Sequence, residues 1–357
     1  MNTKIDTAKT PRELGYRMPA EWEKHSATWI AWPHNSEDWP GRFHPIPWVY
    51  ADIVFHLSRV EMVHILVNDA AAEKRARGIL GRVGAELNRI RFHHWQTDRV
   101  WMRDSGPIFV TQKESLAVTN WKFNAWAKYD NWRHDDQIPA HVAESEHLPQ
   151  WKPMVAQHRV VLEGGSIDVN GAGLMLTTEE CLLSEVQQRN PGLGRVQLEQ
   201  VFREYLGVEK VLWLNRGIAG DDTHGHVDDA TRFVSRDTIV TVTEPNPLDE
   251  NHLPLQENLE RLQEARDLDG RPLRIVELPM PAPVVFEGQR LPASYGNFYI
   301  ANGLVLVPTF NDKNDRIALN TIAELFPDRE VVGIYCGDFI WGLGALHCMT
   351  QQQPAVE

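Results

Sequence analysis

Cysteine is scarce in this chain, with three in 357 residues, at positions 181, 336 and 348. An odd number of widely spaced cysteines builds no disulfide framework, so the expected setting is the reduced cytoplasm. Also missing is any apolar run near the roughly 18–20 residues that cross a bilayer, and no membrane partner is expected. The first residues, Met1-Asn2-Thr3-Lys4-Ile5-Asp6, carry a lysine but no apolar segment behind it, so no secretory signal is read there. Positive charge is in deficit: 36 Lys and Arg against 49 Asp and Glu leave a formal net charge of −13. That balance argues against a nucleic-acid partner and suits a cationic small molecule. No HExxH helix is present to begin a metal shell.

What is present is enough apolar material for a sizeable core, 42% of residues, and thirteen tryptophans. Trp101, Trp121, Trp126 and Trp341 stand beside polar residues, a setting that suits binding walls as well as core. A weak internal repeat organises the chain. Residues 295–301 and 304–309 read as a hairpin turning at Asn302-Gly303, 315–326 has helical spacing closed by Pro327, and 331–335 is a short apolar strand. The same order of strand, strand, helix, strand recurs at 231–235, 238–243, 256–266 and 273–278, and again at 160–169, 174–177, 196–205 and 211–214. Strands at 108–111 and 116–122 start another copy whose helix is not placed within the polar segment 130–147. The front, 28–31, 51–58, 63–67, 71–87 and 90–95, is less regular. Repeating units of about 60 residues predict radial or serial repetition, with an ordinary mixed α/β sheet as the alternative. Polar loops follow equivalent strands at 101–104, 221–229 and 341–350, and such loops would converge at one end of a ring.

These loops hold the candidates for chemistry. Trp341-Gly342-Leu343-Gly344-Ala345-Leu346-His347-Cys348 delivers a cysteine beside a histidine in the least core-like setting of the three thiols, although free cysteines are ordinarily small buried hydrophobes. Trp101-Met102-Arg103-Asp104 puts an aspartate just before a strand, where a local Arg–Asp pair in a turn is the plain alternative. Trp121, Phe123, Asn124, Trp126 and Tyr129 suit edge packing or the wall of a cation pocket. Glu163 ends an aliphatic run before Gly164-Gly165, so it is expected half-buried with a partner, an arginine strut being the ordinary one. Asp221-Asp222-Thr223-His224-Gly225-His226-Val227-Asp228-Asp229 alternates so that His226 and Asp228 point to one side. A metal-dependent hydrolase on His224, His226, Asp228 and Asp229 is one reading of that cluster. A cysteine with a histidine is a nucleophile with its acid–base partner, and two aspartates suit a planar guanidinium, each carboxylate accepting two N–H bonds.

At this point the chain resembles the agmatine deiminases, of the bacterial peptidylarginine deiminase type within the guanidine-modifying (pentein) superfamily. The resemblance is carried by 15–22, Trp32-Pro33, 101–107, 121–126, 163–166, 177–183, 189–191, 225–228, 293–298 and His347-Cys348 with the glutamines that follow. It implies an α/β propeller of five ββαβ units around a pseudo-fivefold axis, as a single domain over 1–357. It further implies that Cys348 attacks the guanidino carbon, His226 protonates the departing ammonia and then activates water, and Glu163 hydrogen-bonds His226. Asp104 and Asp228 would clamp the guanidinium, with Trp101, Trp126 and Asp222 also in contact with substrate. No metal or organic cofactor is implied, and members are often homo-oligomers. The implied reaction converts agmatine and water to N-carbamoylputrescine and ammonia. Its runner-up is deimination of arginine or peptidyl-arginine, for which Arg17 or Lys128 would receive the substrate carboxylate. A non-catalytic guanidine binder is a third class. Leu343, Ala345, His224 and Asp229 depart from the family's usual residues, in a region expected to receive the far end of the substrate.

Overall fold

The structure, a computed structural model, describes residues 7–356. It is a mixed α/β fold of several small sheets, and five of them share one pairing plan. In the fifth, Tyr299–Ala301 turns through Asn302-Gly303 and pairs antiparallel with Leu304–Thr309, which runs parallel to Glu330–Tyr335 after the helix Asp315–Leu325. Gly303 takes φ 66°, the left-handed turn conformation that a side chain disfavours. The fourth repeats this with Thr231–Phe233, Thr238–Thr243, the helix His252–Glu264 and Arg274–Pro279. The third does so with Asp168–Val169, Leu174–Thr178, the helix Arg195–Leu206 and Lys210–Leu214. The second uses Ile108–Gln112, Ser115–Thr119, the helix Ile138–Ser145 and Gln150–Trp151.

The first sheet explains why the front of the chain reads irregularly. Its antiparallel strand is Gln351–Pro354, from the far end of the sequence, paired with His25–Ala31. His25–Ala31 then runs parallel to Met62–Val67, with the helix Ile46–Ser58 between them, and Ile90–His94 adds a further parallel strand. The middle strand of each sheet is largely apolar and buried along its length, as strands covered on both faces are.

Two expectations fail locally. Residues 160–169 form no continuous strand: Glu163 leads into a 3-10 turn, Gly164–Ser166, and only Asp168–Val169 joins a sheet. A side chain at Gly164 would run into the Arg103 carbonyl, so this turn packs closely against the Arg103 backbone. The first strand of the fifth sheet begins at Tyr299 instead of 295, because 293–298 is a buried loop.

Candidate active site

The segment leading from the last parallel strand of each sheet to the next sheet carries one part of a single site. Asp104 lies between Ile90–His94 and Ile108–Gln112, and Glu163 between Gln150–Trp151 and Asp168–Val169. His226 and Asp228 precede Thr231–Phe233, Asn297 precedes Tyr299–Ala301, and Cys348 precedes Gln351–Pro354. The three polar loops read from sequence are among these five. The loop holding Asn297 was quoted for the resemblance but given no role.

Cys348 is not in a core-poor setting: it is buried, 7% exposed, between Leu346 and Met349. Asn297 clamps its loop. The Asn297 Oδ1 accepts from the backbone N–H of His347 (2.9 Å) and of Cys348 (3.3 Å), while Nδ2 lies 3.0 Å from Sγ and 2.9 Å from Asp229 Oδ1. The thiol is 3.8 Å from Asp228 Oδ2. Burial, and after it the nearby Asp228, Asp229 and Asp104, push the thiol well above its ordinary pKa. His347, the neighbour read with the cysteine, belongs to a different network. Its Nδ1 bonds Asp228 Oδ2 at 2.6 Å and its Nε2 bonds Glu21 Oε2 at 2.7 Å.

His226 Nδ1 stands 3.7 Å from Asp104 Oδ1 and 4.0 Å from Asp228 Oδ1, and neither ring nitrogen has a hydrogen-bond partner among the described residues by distance and angle. Burial works against its charged form, but Asp104, Cys181 and Asp228 outweigh burial and hold the imidazolium pKa well above the usual value. Asp104 accepts from Gly165 N–H (3.1 Å) and Trp126 Nε1 (3.0 Å). Burial raises the Asp104 carboxyl to about 7, although His226 pulls the other way. A Cβ at Gly165 would sit 2.6 Å from His226 Nδ1 and 2.8 Å from Asp104 Oδ1, so only glycine lets these groups approach. Trp126 reaches Asp104 from a left-handed turn in which Ala125, Trp126 and Ala127 all have positive φ.

The expected hydrogen bond between Glu163 and His226 is not made. Glu163 Oε1 accepts from Arg189 Nε at 3.0 Å, with both side chains fully buried, and Oε2 has no partner. The arginine strut prevails because a fixed guanidinium neutralises a buried carboxylate in every protonation state. Glu163, Cys181 and His226 still bring ligand atoms within 4.8 Å of one another. Arg103 makes no local pair with Asp104; its side chain spans to Gln352 (2.7 Å), Glu21 (3.4 Å) and the His347 carbonyl (3.4 Å), and its backbone N–H donates to the Cys348 carbonyl (3.0 Å). His224 leaves the proposed metal set, its Nε2 lying 3.1 Å from Ser184 Oγ.

Cys348 and Asp104 open onto a cavity of about 610 Å³ walled by Trp101, Trp126, Tyr129 and Trp341. Its acidic lining is Glu37, Asp38, Asp104, Asp130 and Asp222, against Arg99 as the one basic side chain. Lys128 is taken up by Asp222, whose other oxygen accepts from Tyr129 OH at 2.7 Å, and Arg17 pairs with Glu23 away from the cavity. The arrangement is a buried thiol and a buried imidazole among carboxylates, with acceptors such as Asp228 Oδ1 left without a hydrogen-bond partner among the described residues. It can take up a planar cation bearing several N–H groups.

Residues 17–354 match the model of the Porphyromonas-type peptidyl-arginine deiminase family. The chain belongs to that family. An agmatine deiminase of Stutzerimonas stutzeri is 36% identical, over 97% of this chain and 97% of its own. The solved agmatine deiminase of Enterococcus faecalis, described as catalysing its reaction, superposes with TM-score 0.89 at 32% identity, covering 97% of this chain and 98% of its own. An agmatine deiminase of C. jejuni with substrate bound gives TM-score 0.84 at 28% identity, covering 96% and 97%. Within this member of the deiminase family, sequence reading missed Asn297, Arg189, Cys181 and Glu21. All four lie in segments that carry the resemblance, but each acts through partners distant in the chain, so its own stretch does not show its role.

Proposed function

We propose that the protein is a hydrolase that deiminates agmatine, giving N-carbamoylputrescine and ammonia. One observation carries this reading: Cys348 and Asp104 line an acidic cavity, and the buried His226 brings its Nδ1 within 4.0 Å of both Asp104 and Asp228. Asp104 and Asp228 hold the guanidinium, and Trp101 and Trp126 wall the cavity over it. The arriving cation offsets the negative field around Cys348, and the thiol passes its proton to solvent water in the cavity, leaving the thiolate. Sγ attacks the guanidino carbon. His226 as imidazolium gives its proton to the departing nitrogen, and ammonia leaves an amidino-thioether. His226, now neutral, takes a proton from water, whose oxygen attacks the same carbon; the C–S bond breaks and the ureido product forms. Arg189 fixes Glu163 beside His226.

The repeated sheet plan supports a propeller of five ββαβ units around a pseudo-fivefold axis, forming one domain. Free thiols suit a cytoplasmic enzyme. The excess of acidic over basic groups lining the cavity favours agmatine, with a second positive charge, over arginine, whose carboxylate it would repel.

The test is intact-mass spectrometry of His226→Ala protein mixed with agmatine, beside product analysis of the unaltered enzyme. The expected results are an amidino adduct that is absent in Cys348→Ser protein, and kcat/KM for agmatine about 100-fold or more above that for arginine, the scale of a misplaced charge. Turnover of arginine or arginyl peptides without turnover of agmatine would overturn the reading.

A further inference from the structure

The distal wall of the cavity holds an acidic group that the chemistry above does not use. Asp38 ends the 3-10 turn Ser36–Asp38, just past the strand His25–Ala31. Its side chain is 4% exposed, yet it lines the same cavity as Cys348. Asp38 Oδ1 accepts from Arg99 Nη1 at 3.2 Å, whereas Oδ2 has no hydrogen-bond partner among the described residues. Arg99 Nε also lacks a hydrogen-bond partner among the described residues, but the other contacts of the guanidinium hold it in place. Its Nη2 is given to Asn131 at 3.0 Å, and its guanidinium is stacked 4.1 Å from the centre of the Tyr129 ring.

The other acids lining the cavity are engaged or exposed. Both oxygens of Asp222 are occupied, by Lys128 and Tyr129, and both oxygens of Asp104 by Gly165 and Trp126. Glu37 and Asp130 are open to solvent, where a single charge pair contributes little. A buried carboxylate oxygen with no donor is an unfavourable state, relieved when a donor arrives. The carboxylate torsion is soft, so a small rotation presents Oδ2 to the cavity.

We infer that Asp38 is a specificity-determining residue: it accepts the cationic end of the substrate's tail while the guanidinium sits at Asp104 and Asp228. This inference rests on the deiminase reading for its substrate class, but its test is a binding measurement. The preferred ligand is a guanidine carrying a protonated amine on an alkyl chain; a guanidine with an apolar tail gains nothing from Asp38. Burial, outweighing Arg99, raises the Asp38 carboxyl to about 6, so the preference should weaken as pH falls through that value.

The experiment is calorimetry on Cys348→Ser protein, which cannot turn substrate over, with and without Asp38→Asn and Asp38→Glu. Agmatine and butylguanidine are the two probes. Asp38→Asn is expected to weaken agmatine by about 10- to 100-fold, the loss of one charge-assisted bond, and butylguanidine less than about twofold. Asp38→Glu should restore part of the preference. Because the readout is a ratio within one protein, partial misfolding cancels. An equal effect on both probes, no effect on either, or no binding of either probe overturns the inference. A preference for agmatine that depends on Asp38, in a protein whose unaltered form releases no ammonia from agmatine, keeps the inference and sinks the deiminase reading. Ammonia release with an unchanged preference does the reverse.

Discussion

A thiol ringed by Asp228, Asp229 and Asp104 has its proton held on by burial and by three sources of negative field. Asp229 deepens the effect in one respect and limits it in another. Burial, with Asp228 and Asp221 beside it, raises its own carboxyl well above the ordinary range, while its Oδ1 accepts from the Asn297 amide. The consequence for Cys348 is a nucleophile that waits for a cation. A neutral alkylating agent such as iodoacetamide should modify it slowly near pH 7.5. The amidinium reagent 2-chloroacetamidine, which brings positive charge to the carboxylates, should react faster by about tenfold or more after correction for reactivity toward free cysteine, one pKa unit being worth tenfold. Peptide mapping of Cys348 under both reagents measures this. Equal corrected rates would mean that the thiolate exists before any cation arrives.

At the scale of elements, close packing of loops sets the site. Gly164-Gly165 lets the Glu163 turn slide between Arg103, Asp104 and His226, and Gly165→Ala would insert a methyl group 2.6 Å from an imidazole nitrogen. The expected outcome is a kcat/KM lower by about 100-fold, the effect of displacing reacting groups by an ångström, in a protein that still melts cooperatively. Steady-state kinetics beside thermal unfolding tests it; unimpaired kinetics would show that His226 and Asp104 do not need this approach. The same glycines explain what the sequence could and could not announce. Residues 238–243 and 304–309 were readable as strands to the residue, because a middle strand covered on both faces is a run of β-branched and aliphatic residues, interrupted here only by Pro308. Residues 160–169 carry the same apolar signal, but there it fills a gap between loops. The helix Ile138–Ser145 went unplaced because it is only eight residues long, starts with a proline in its first turn and follows a charged stretch.

Over the whole molecule, the loops are joined by a buried ionic network that no local pattern reveals. Glu21 lies beneath the site and meets Arg232 at 2.9 Å, Arg103 at 3.4 Å and His347 at 2.7 Å, while Arg232 also pairs with Asp168 and His347 with Asp228. Its partners lie 82, 211 and 326 positions away in sequence, which is why Cys348, His226, Asp104 and Asp228 were legible as reactive types in polar loops and Glu21 was not. Burial alone would raise the Glu21 carboxyl, but Arg232, His347 and Arg103 together hold it well below its ordinary value of 4.5. A carboxyl whose folded pKa is depressed contributes stability that is present above the unfolded pKa and disappears as pH falls toward the folded one. Glu21→Gln should therefore destabilise the protein at pH 7 by about 3–5 kcal/mol, the cost of leaving buried charges uncompensated. It should cost less as pH drops below 4.5, where the unfolded wild-type chain takes up a proton that the folded one refuses. Denaturant melts of both proteins from pH 7 downward measure the difference. A gap that stays constant with pH would mean that Glu21 acts as a hydrogen-bonding shape alone, and that its charge does not tie the Cys348 loop to the strands around it.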